Sequence, residues 1–340
     1  MKNKKNIKIA VVGATGNVGR TFLQILAEQG YPAENITAVA SNRSANRPVS
    51  YGENDIITVQ SLEKFDFTGY DYALFSPGGA ISAEYAPKAA AQGCVVIDNT
   101  SHFRMDKDIP LVIPEVNSGA LKDYANRNIV ANPNCSTIQM LMALKPLHDA
   151  AKIKRVVVST YQSVSGAGQE AMDELTQQTK GLFTGLSVPP TCFSKPIAFN
   201  VIPQIDVFME DDSTKEEWKM VVETQKILDP SIQVTATCVR VPVYIGHSLS
   251  LNIEFEQELS ADKARQLLRQ FKGITVMDNP DDLSYATPLD GAGEDDVLIS
   301  RIRKDPTVPH GLNMWVVADN VRKGAALNAI QIMEALTVIR

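Results

Sequence analysis

The chain has 340 residues, 44% of them hydrophobic, and a formal net charge of -6. That length exceeds the roughly 250 residues at which one core stops growing efficiently, so two core-forming units are expected. The charges form no basic stripe, which excludes an electrostatic footprint for nucleic acid or an anionic membrane and leaves small molecules as the expected partners.

No apolar run approaches the ~20 residues that span a bilayer, and the opening MKNKKNIKIAVVGA carries neither a signal-peptide core nor a cleavage site. The cytoplasm is the expected compartment. Cys94, Cys135, Cys192 and Cys238 form no CxxC pair, so neither a metal site nor a disulfide framework is expected.

Residues 7–12, IKIAVV, read as a buried parallel strand, and the glycine-punctuated segment from Gly13 to Gly19 leads into the helical TFLQILAEQG. The alternation continues with ITAVAS, DYALFS before the helical SAEYAPKAAAQG, CVVIDN and NIVANP. This is the grammar of a parallel, doubly wound α/β sheet of Rossmann type. After Asn134 a helix, STIQMLMALKPLHDA, is followed by longer alternating strands, VVVSTYQSV, QVTATCVRVPV and HSLSLNIEFEQ, which predict a mixed sheet in a second, α+β unit. In the last of these, His247, Leu249, Leu251, Ile253 and Phe255 share the face expected to be buried. The closing VRKGAALNAIQIMEALTVI reads as an amphipathic helix that could return to the first unit. The expected division is therefore 1–134 with 321–340, and 135–320; GENDI and residues 280–296 read as exposed loops.

Gly13, Gly16 and Gly19, with Thr15, Asn17 and Val18 between them, stand where a strand turns into a helix, a place where backbone amides and the helix dipole can receive a pyrophosphate. The second strand ends Ala40-Ser41-Asn42-Arg43-Ser44 rather than in the carboxylate that holds an NAD ribose. Arg43, with the Ser41 and Ser44 hydroxyls, suits a 2′-phosphate, so NADP(H) is the expected cofactor.

Asn132-Pro133-Asn134-Cys135-Ser136-Thr137 places Cys135 at a strand-to-helix turn, where partial positive charge favours thiolate. Such a nucleophile needs a proton acceptor. Among His102, His148, His247 and His310, only His247 opens a strand on its apolar face. Arg240 shares a face with Val234, Ala236 and Cys238, and a guanidinium there calls for a buried anion.

GATGNVG, SNRS, SHFRM, NPNCST, TYQSVSGAG, EEWKM, RVPVYIGHS and DNVRKGAA occur in the order and approximate spacing of the bacterial aspartate-β-semialdehyde dehydrogenases, and the chain resembles that family over nearly its whole length. The resemblance implies that Cys135 is the acyl-thioester nucleophile, His247 the acid/base and Gln162 a substrate-orienting group. It further assigns the substrate α-carboxylate to Arg240, its α-ammonium to Glu216, and inorganic phosphate, as co-substrate, to Arg104 and Lys219. Thr15 to Val18, Arg43, Ser44, Ser165, Gly166 and Asn320 would line the NADP site. It also implies a catalytic and dimerisation role for the second unit in a homodimer, or a tetramer, and a place in lysine, methionine and threonine biosynthesis. An N-acetyl-glutamyl-phosphate reductase and a non-catalytic NADP(H) sensor are the competing readings. The chain departs from the family pattern at Ser76-Pro77-Gly78-Gly79 and at Asn46, where a glycine is expected.

Overall fold

The computed structural model describes residues 4–339. They fall into two compact units, Met1–Pro133 with Ala325–Arg340, and Asn134–Gly324.

The first unit is built on six parallel strands: β1 (Ile9–Val12), β2 (Ile36–Ala40), β5 (Gln60–Ser61), β6 (Tyr72–Phe75), β7 (Val95–Asp98) and β8 (Ile129–Ala131), in the order β5-β2-β1-β6-β7-β8. Every residue of β1, β6 and β7 is buried, which is why these strands, apart from Asp98 at the end of β7, read as continuous apolar runs. Ile9 of β1 pairs with Ile36 on one side and Tyr72 on the other, so the chain leaves β1 at the point where strand order reverses. In open α/β sheets that crevice is the ligand-binding edge. Helices α1 (Asn17–Glu28), α2 (Gly79–Ala91), α3 (Pro114–Asn117) and α9 (Leu327–Ile339) belong to this unit. The C-terminal helix supplies Leu327, Ile330, Met333 and Leu336 to a core shared with Phe22, Leu26, Leu74 and Ile97.

GENDI is only partly a loop: Gly52, at φ +60°, turns an antiparallel hairpin of β3 (Pro48–Tyr51) and β4 (Asp55–Thr58). Nearby, Asn46 sits at φ +63°, so the position expected to be glycine keeps its left-handed backbone through a residue type that tolerates it.

The second unit carries a mixed sheet of β9 (Ile153–Gln162), β10 (Gln233–Arg240), β11 (His247–Phe255), β12 (Ile274–Val276), β13 (Val297–Asp305) and β14 (Gly311–Ala318), ordered β10-β9-β11-β14-β13-β12. The two outer pairs, β10 with β9 and β12 with β13, are parallel, and the remainder antiparallel. Along β11 the face from His247 to Phe255 is buried while Ser250 is exposed. Helix α4 (Cys135–Ala151), apolar on nearly every side, lies on strands β9, β11, β13 and β14, with α7 (Ala261–Gln270) beside it. Tyr161 of β9 and Trp315 of β14, on the two strands that flank β11, lie 5.3 Å apart between ring centroids, and both residues are partly exposed. Helices α5 (Gln169–Thr184), α6 (Lys215–Ile227) and the short α8 (Pro288–Gly291) complete the unit. Residues 280–296 are less loop-like than expected: they contain α8 and a 3-10 turn, Pro280–Asp282, and Ala286 within them is buried. Among the described residues no helix is long and apolar enough to cross a membrane.

Candidate active site

In the first unit, the glycines of the β1–α1 turn do different work. Gly13 stands at φ +87°, and a Cβ there would lie 2.6 Å from the Ser76 carbonyl oxygen. At Gly19 a Cβ would lie 2.1 Å from the Gly13 oxygen, so helix and loop pack too closely for any side chain. Gly16 is unlike both: its Cβ would meet only the Gly13 oxygen, at 3.5 Å, an ordinary contact. Protein packing therefore explains the first and third glycines but not the second. The Ser76-Pro77 departure lies against Gly13 itself, and Gly78, at φ +97°, opens α2.

Arg43 lies in the 3-10 turn Asn42–Ser44, exposed, with no hydrogen-bond or ion-pair partner among the described residues; Ser41 precedes the turn and Ser44 ends it. Arg104 is buried and donates from Nη2 to the Asn99 carbonyl at 3.0 Å. The loop that carries it is tied to Asp98, whose carboxylate accepts from Ser82 Oγ, Thr100 N and Thr100 Oγ1.

In the second unit, Cys135 is the first residue of α4, half-buried, with Gly324 against it so closely that a Cβ there would lie 2.9 Å from Cys135 Cβ. The helix begins here because Asn134 caps it: Oδ1 accepts from Ser136 N at 2.9 Å and Thr137 N at 3.2 Å. The other cysteines are placed differently. Cys94 and Cys238 are buried, burial pushes the Cys238 thiol well above its ordinary value, and Cys192 is exposed in the acidic surroundings of Glu170, Asp173 and Glu174.

His247 is fully buried at the start of β11. Its Nδ1 accepts the backbone N–H of Ser163 at 3.0 Å, so the neutral ring carries its proton on Nε2. Nε2 is buried without a hydrogen-bond partner among the described residues. A Cβ at Gly166 would lie 3.3 Å from Nε2 and 3.2 Å from Arg240 Nη1, so the absence of a side chain keeps this ring edge open. Burial first, then the positive charge of Arg240, hold the His247 pKa down to about 3, against the pull of Glu216. Asn320 ties the loops together: Oδ1 accepts from Gly246 N at 3.0 Å and Ser163 Oγ at 3.0 Å, and Nδ2 donates to Ser165 Oγ at 2.9 Å.

Arg240 ends β10, 6% exposed, with Nη1 donating to the Ser163 carbonyl at 2.7 Å. Backbone hydrogen bonds in both directions between Arg240 and Ile202 fix the strand end. Burial lowers the Arg240 pKa, against the pull of the Glu216 and Cys135 charges. Glu216 and Lys219 lie on one face of α6, 3.1 Å apart, but not as a solvated surface pair: Glu216 is buried, and the Lys219 side chain is 12% exposed. Glu216 Oε1 accepts from Asn134 Nδ2 at 2.9 Å and from Gln162 Nε2 at 3.0 Å, while Lys219 also reaches Asp206 at 2.9 Å. Gln162 is held at its other end by Thr160 Oγ1, which donates to its Oε1.

The second unit thus gathers Gln162, Ser165, Gly166, Glu216, Lys219, Arg240, His247 and Asn320 into linked contacts, with Cys135 joined to them through Asn134. The glycine loop, Arg43 and Arg104 belong to the first unit. Sequence reasoning missed Ser163, Asp206, Glu223 and the capping role of Asn134. Only the last had a local signal, an asparagine just before a helix. Among the described residues no group of acidic, histidine and cysteine side chains could hold a metal ion.

Two family models match: "Semialdehyde dehydrogenase, NAD binding domain" over residues 8–124 and "Semialdehyde dehydrogenase, dimerisation domain" over residues 144–323. The chain is 53% identical over 332 residues to an aspartate-semialdehyde dehydrogenase of Aquifex aeolicus, covering 97% of each, and 51% identical to that of Legionella pneumophila, covering 98% of this chain and 96% of the relative. Among solved structures, aspartate semialdehyde dehydrogenase II of Vibrio cholerae, complexed with ASA, superposes with a TM-score of 0.95 at 50% identity, covering 98% of both chains. The Candida albicans enzyme with NADP does so at 0.74 and 25% identity, covering 97% of this chain and 98% of that one. The chain belongs to the aspartate-semialdehyde dehydrogenase family.

Proposed function

We propose that the protein is an NADP(H)-dependent, phosphorylating enzyme that reversibly reduces β-aspartyl phosphate to L-aspartate 4-semialdehyde through a thioester on Cys135, in the cytoplasmic biosynthesis of lysine, methionine and threonine. The observation that carries this reading is the grouping of a cysteine at a capped helix N-terminus with a buried arginine and a histidine whose Nε2 has no partner among the described residues. In the reductive direction the Cys135 thiolate attacks the acyl carbon and phosphate leaves. The Nε2 proton of His247 faces the charge that develops on the acyl oxygen. Once the thioester carbon has gained a hydride, expulsion of the same thiolate from the resulting thiohemiacetal releases the aldehyde.

Arg240 would hold the α-carboxylate. A carboxylate offers about four acceptor positions, and the three donors on Glu216 leave one for the α-ammonium. Gln162, tethered to Glu216, orients the chain between them. Lys219 has committed two of its three N–H donors, to Glu216 and Asp206, leaving the third for phosphate, the anion that the family resemblance also assigns to Arg104.

The first unit fits a nicotinamide dinucleotide: the space at Gly16 lets a pyrophosphate approach, and Arg43, without a partner among the described residues, suits a 2′-phosphate. When bound, the nicotinamide supplies or accepts the hydride exchanged with the thioester carbon. The family resemblance also assigns Ser44 and, in the second unit, Ser165, Gly166 and Asn320 to the cofactor. The partly exposed Tyr161 and Trp315 support a homodimer formed through the second sheet. The reading is tested by NADP+ reduction with aspartate semialdehyde, with and without phosphate. Turnover should be sustained only when phosphate is present; equal turnover in its absence would sink the assignment.

A further inference from the structure

Two buried carboxylates on one face of α6 close on a single residue, Asn134. Glu216 Oε1 accepts from its Nδ2 at 2.9 Å, and Glu223 Oε2 accepts from its backbone N–H at 2.7 Å. Glu216 and Glu223 lie two helical turns apart. Between them Met220 packs against α4, its sulfur 3.7 Å from Thr137 Oγ1. Glu223 is 1% exposed. Packing two helices needs no carboxylate there, since an apolar side chain such as Met220 would serve without the desolvation cost.

The start of α4 explains what the charge is for. In a complete capping box, the third helical residue is a Glu or Gln whose side chain reaches back to the N-cap backbone N–H. Helix α6 has one, formed between Thr214 and Glu217. In α4 the third residue is Thr137, whose hydroxyl goes to Met220, so the Asn134 N–H has no acceptor within its own helix. Glu223 supplies it from the neighbouring helix.

We propose that Glu223 is a positioning residue for the nucleophile: it completes the capping box of α4 from α6 and, together with Glu216, clamps Asn134 so that the adjacent Cys135 is held in attack geometry. This rests on the reading of Cys135 as the nucleophile.

The test compares Glu223→Ala, Glu223→Gln and Cys135→Ser with the unaltered enzyme. Turnover is normalised to titrated active sites, and the pH dependence of Cys135 alkylation by iodoacetamide is followed by peptide mapping. Glu223→Ala should lose about 10- to 100-fold in site-normalised kcat, as expected for misplacement of a reacting group, with KM for aspartate semialdehyde moving much less. Glu223→Gln keeps an oxygen for the N–H and should retain at least about tenfold more activity than the alanine variant, a gap that simple loss of packing would not produce. Removing the buried negative charge should also move the Cys135 alkylation midpoint down by about one pH unit.

Wild-type kcat in Glu223→Ala, or equal impairment of both variants, overturns the proposal. If the alanine variant does not fold, an unmoved alkylation midpoint in Glu223→Gln overturns it. Turnover in Cys135→Ser would instead overturn the nucleophile reading; an inactive Cys135→Ser beside unimpaired Glu223 variants would sink the clamp alone.

Discussion

Replacing Glu216 by glutamine changes one buried oxygen into a nitrogen, and its stability effect can be worked out from the surroundings of the carboxylate. Burial alone would raise the Glu216 pKa. The Lys219 charge and the hydrogen bonds from Asn134, Gln162 and Lys219 overcome it and hold the group at about 2, against an ordinary 4.5. A difference of that size corresponds to about 3 kcal/mol of stability at neutral pH. Because the folded-state value is depressed, this stability is complete above pH 4.5 and is lost as pH falls toward 2. Glu216→Gln should therefore lower the melting temperature by roughly 6–12 °C at pH 7 for a unit of this size. The gap should stay constant down to about pH 5 and narrow below it. Trp218 and Trp315 both lie in the second unit, so tryptophan fluorescence reads the affected transition without interference from the first. A neutral-pH difference below about 1 kcal/mol, or a gap that does not narrow between pH 5 and pH 3, would refute the reasoning, because neither fits a carboxylate stabilised by its ionised form.

Three further outcomes are expected. Arg43→Ala should weaken NADP binding by one to two decades, the loss of a charge-assisted contact worth roughly 1.5–3 kcal/mol, and leave NAD binding unchanged in equilibrium titrations; unaltered selectivity would remove Arg43 from the cofactor site. His247, held down to about 3 by burial and Arg240, should stay neutral across pH 5–9, so nitrogen-15 spectra should show the Nε2–H tautomer throughout. Its depressed value makes its stability contribution complete above pH 6.5 and lost as pH falls toward 3, a slope His247→Gln should flatten. Without phosphate, enzyme, NADP+ and aspartate semialdehyde should yield about one NADPH per site and an acyl adduct on the peptide containing Cys135, both abolished in Cys135→Ser. An adduct on Cys94, Cys192 or Cys238 would contradict the mechanism.

The legible parts of the fold were those whose burial is written locally. Strands β1 and β6, and β7 up to its closing Asp98, are buried on both faces and hence apolar, and β11 alternates because only one face is covered. The hairpin of β3 and β4 was harder to see. It forms its own two-stranded sheet, and β4 is exposed along most of its length, so GENDI shows neither a periodicity nor an apolar run. The π turn Arg322–Ala326, which precedes α9, also lacks a composition of its own and reads as a continuation of the helix.

The same distinction runs through the site. Cys135 and His247 could be picked out because each residue type is unusual where it stands: a thiol among polar neighbours at a helix start, an imidazole on an apolar strand face. The groups that hold them could not. Ser163 fixes the His247 tautomer with a backbone N–H that any residue but proline would supply, so its side chain says nothing about that function. Glu223, seven residues after Glu216 on a helix also rich in lysine and glutamate, reads as a solvated position until α4 is laid beside it. Its partner Asn134 is 89 positions away in the chain. Charged residues are legible when their own segment is apolar, and silent when the burial comes from an element that the sequence places elsewhere. Nucleophile and histidine are therefore the part of such a site that a single sequence discloses, whereas the capping and tautomer-fixing contacts that set their geometry require the fold.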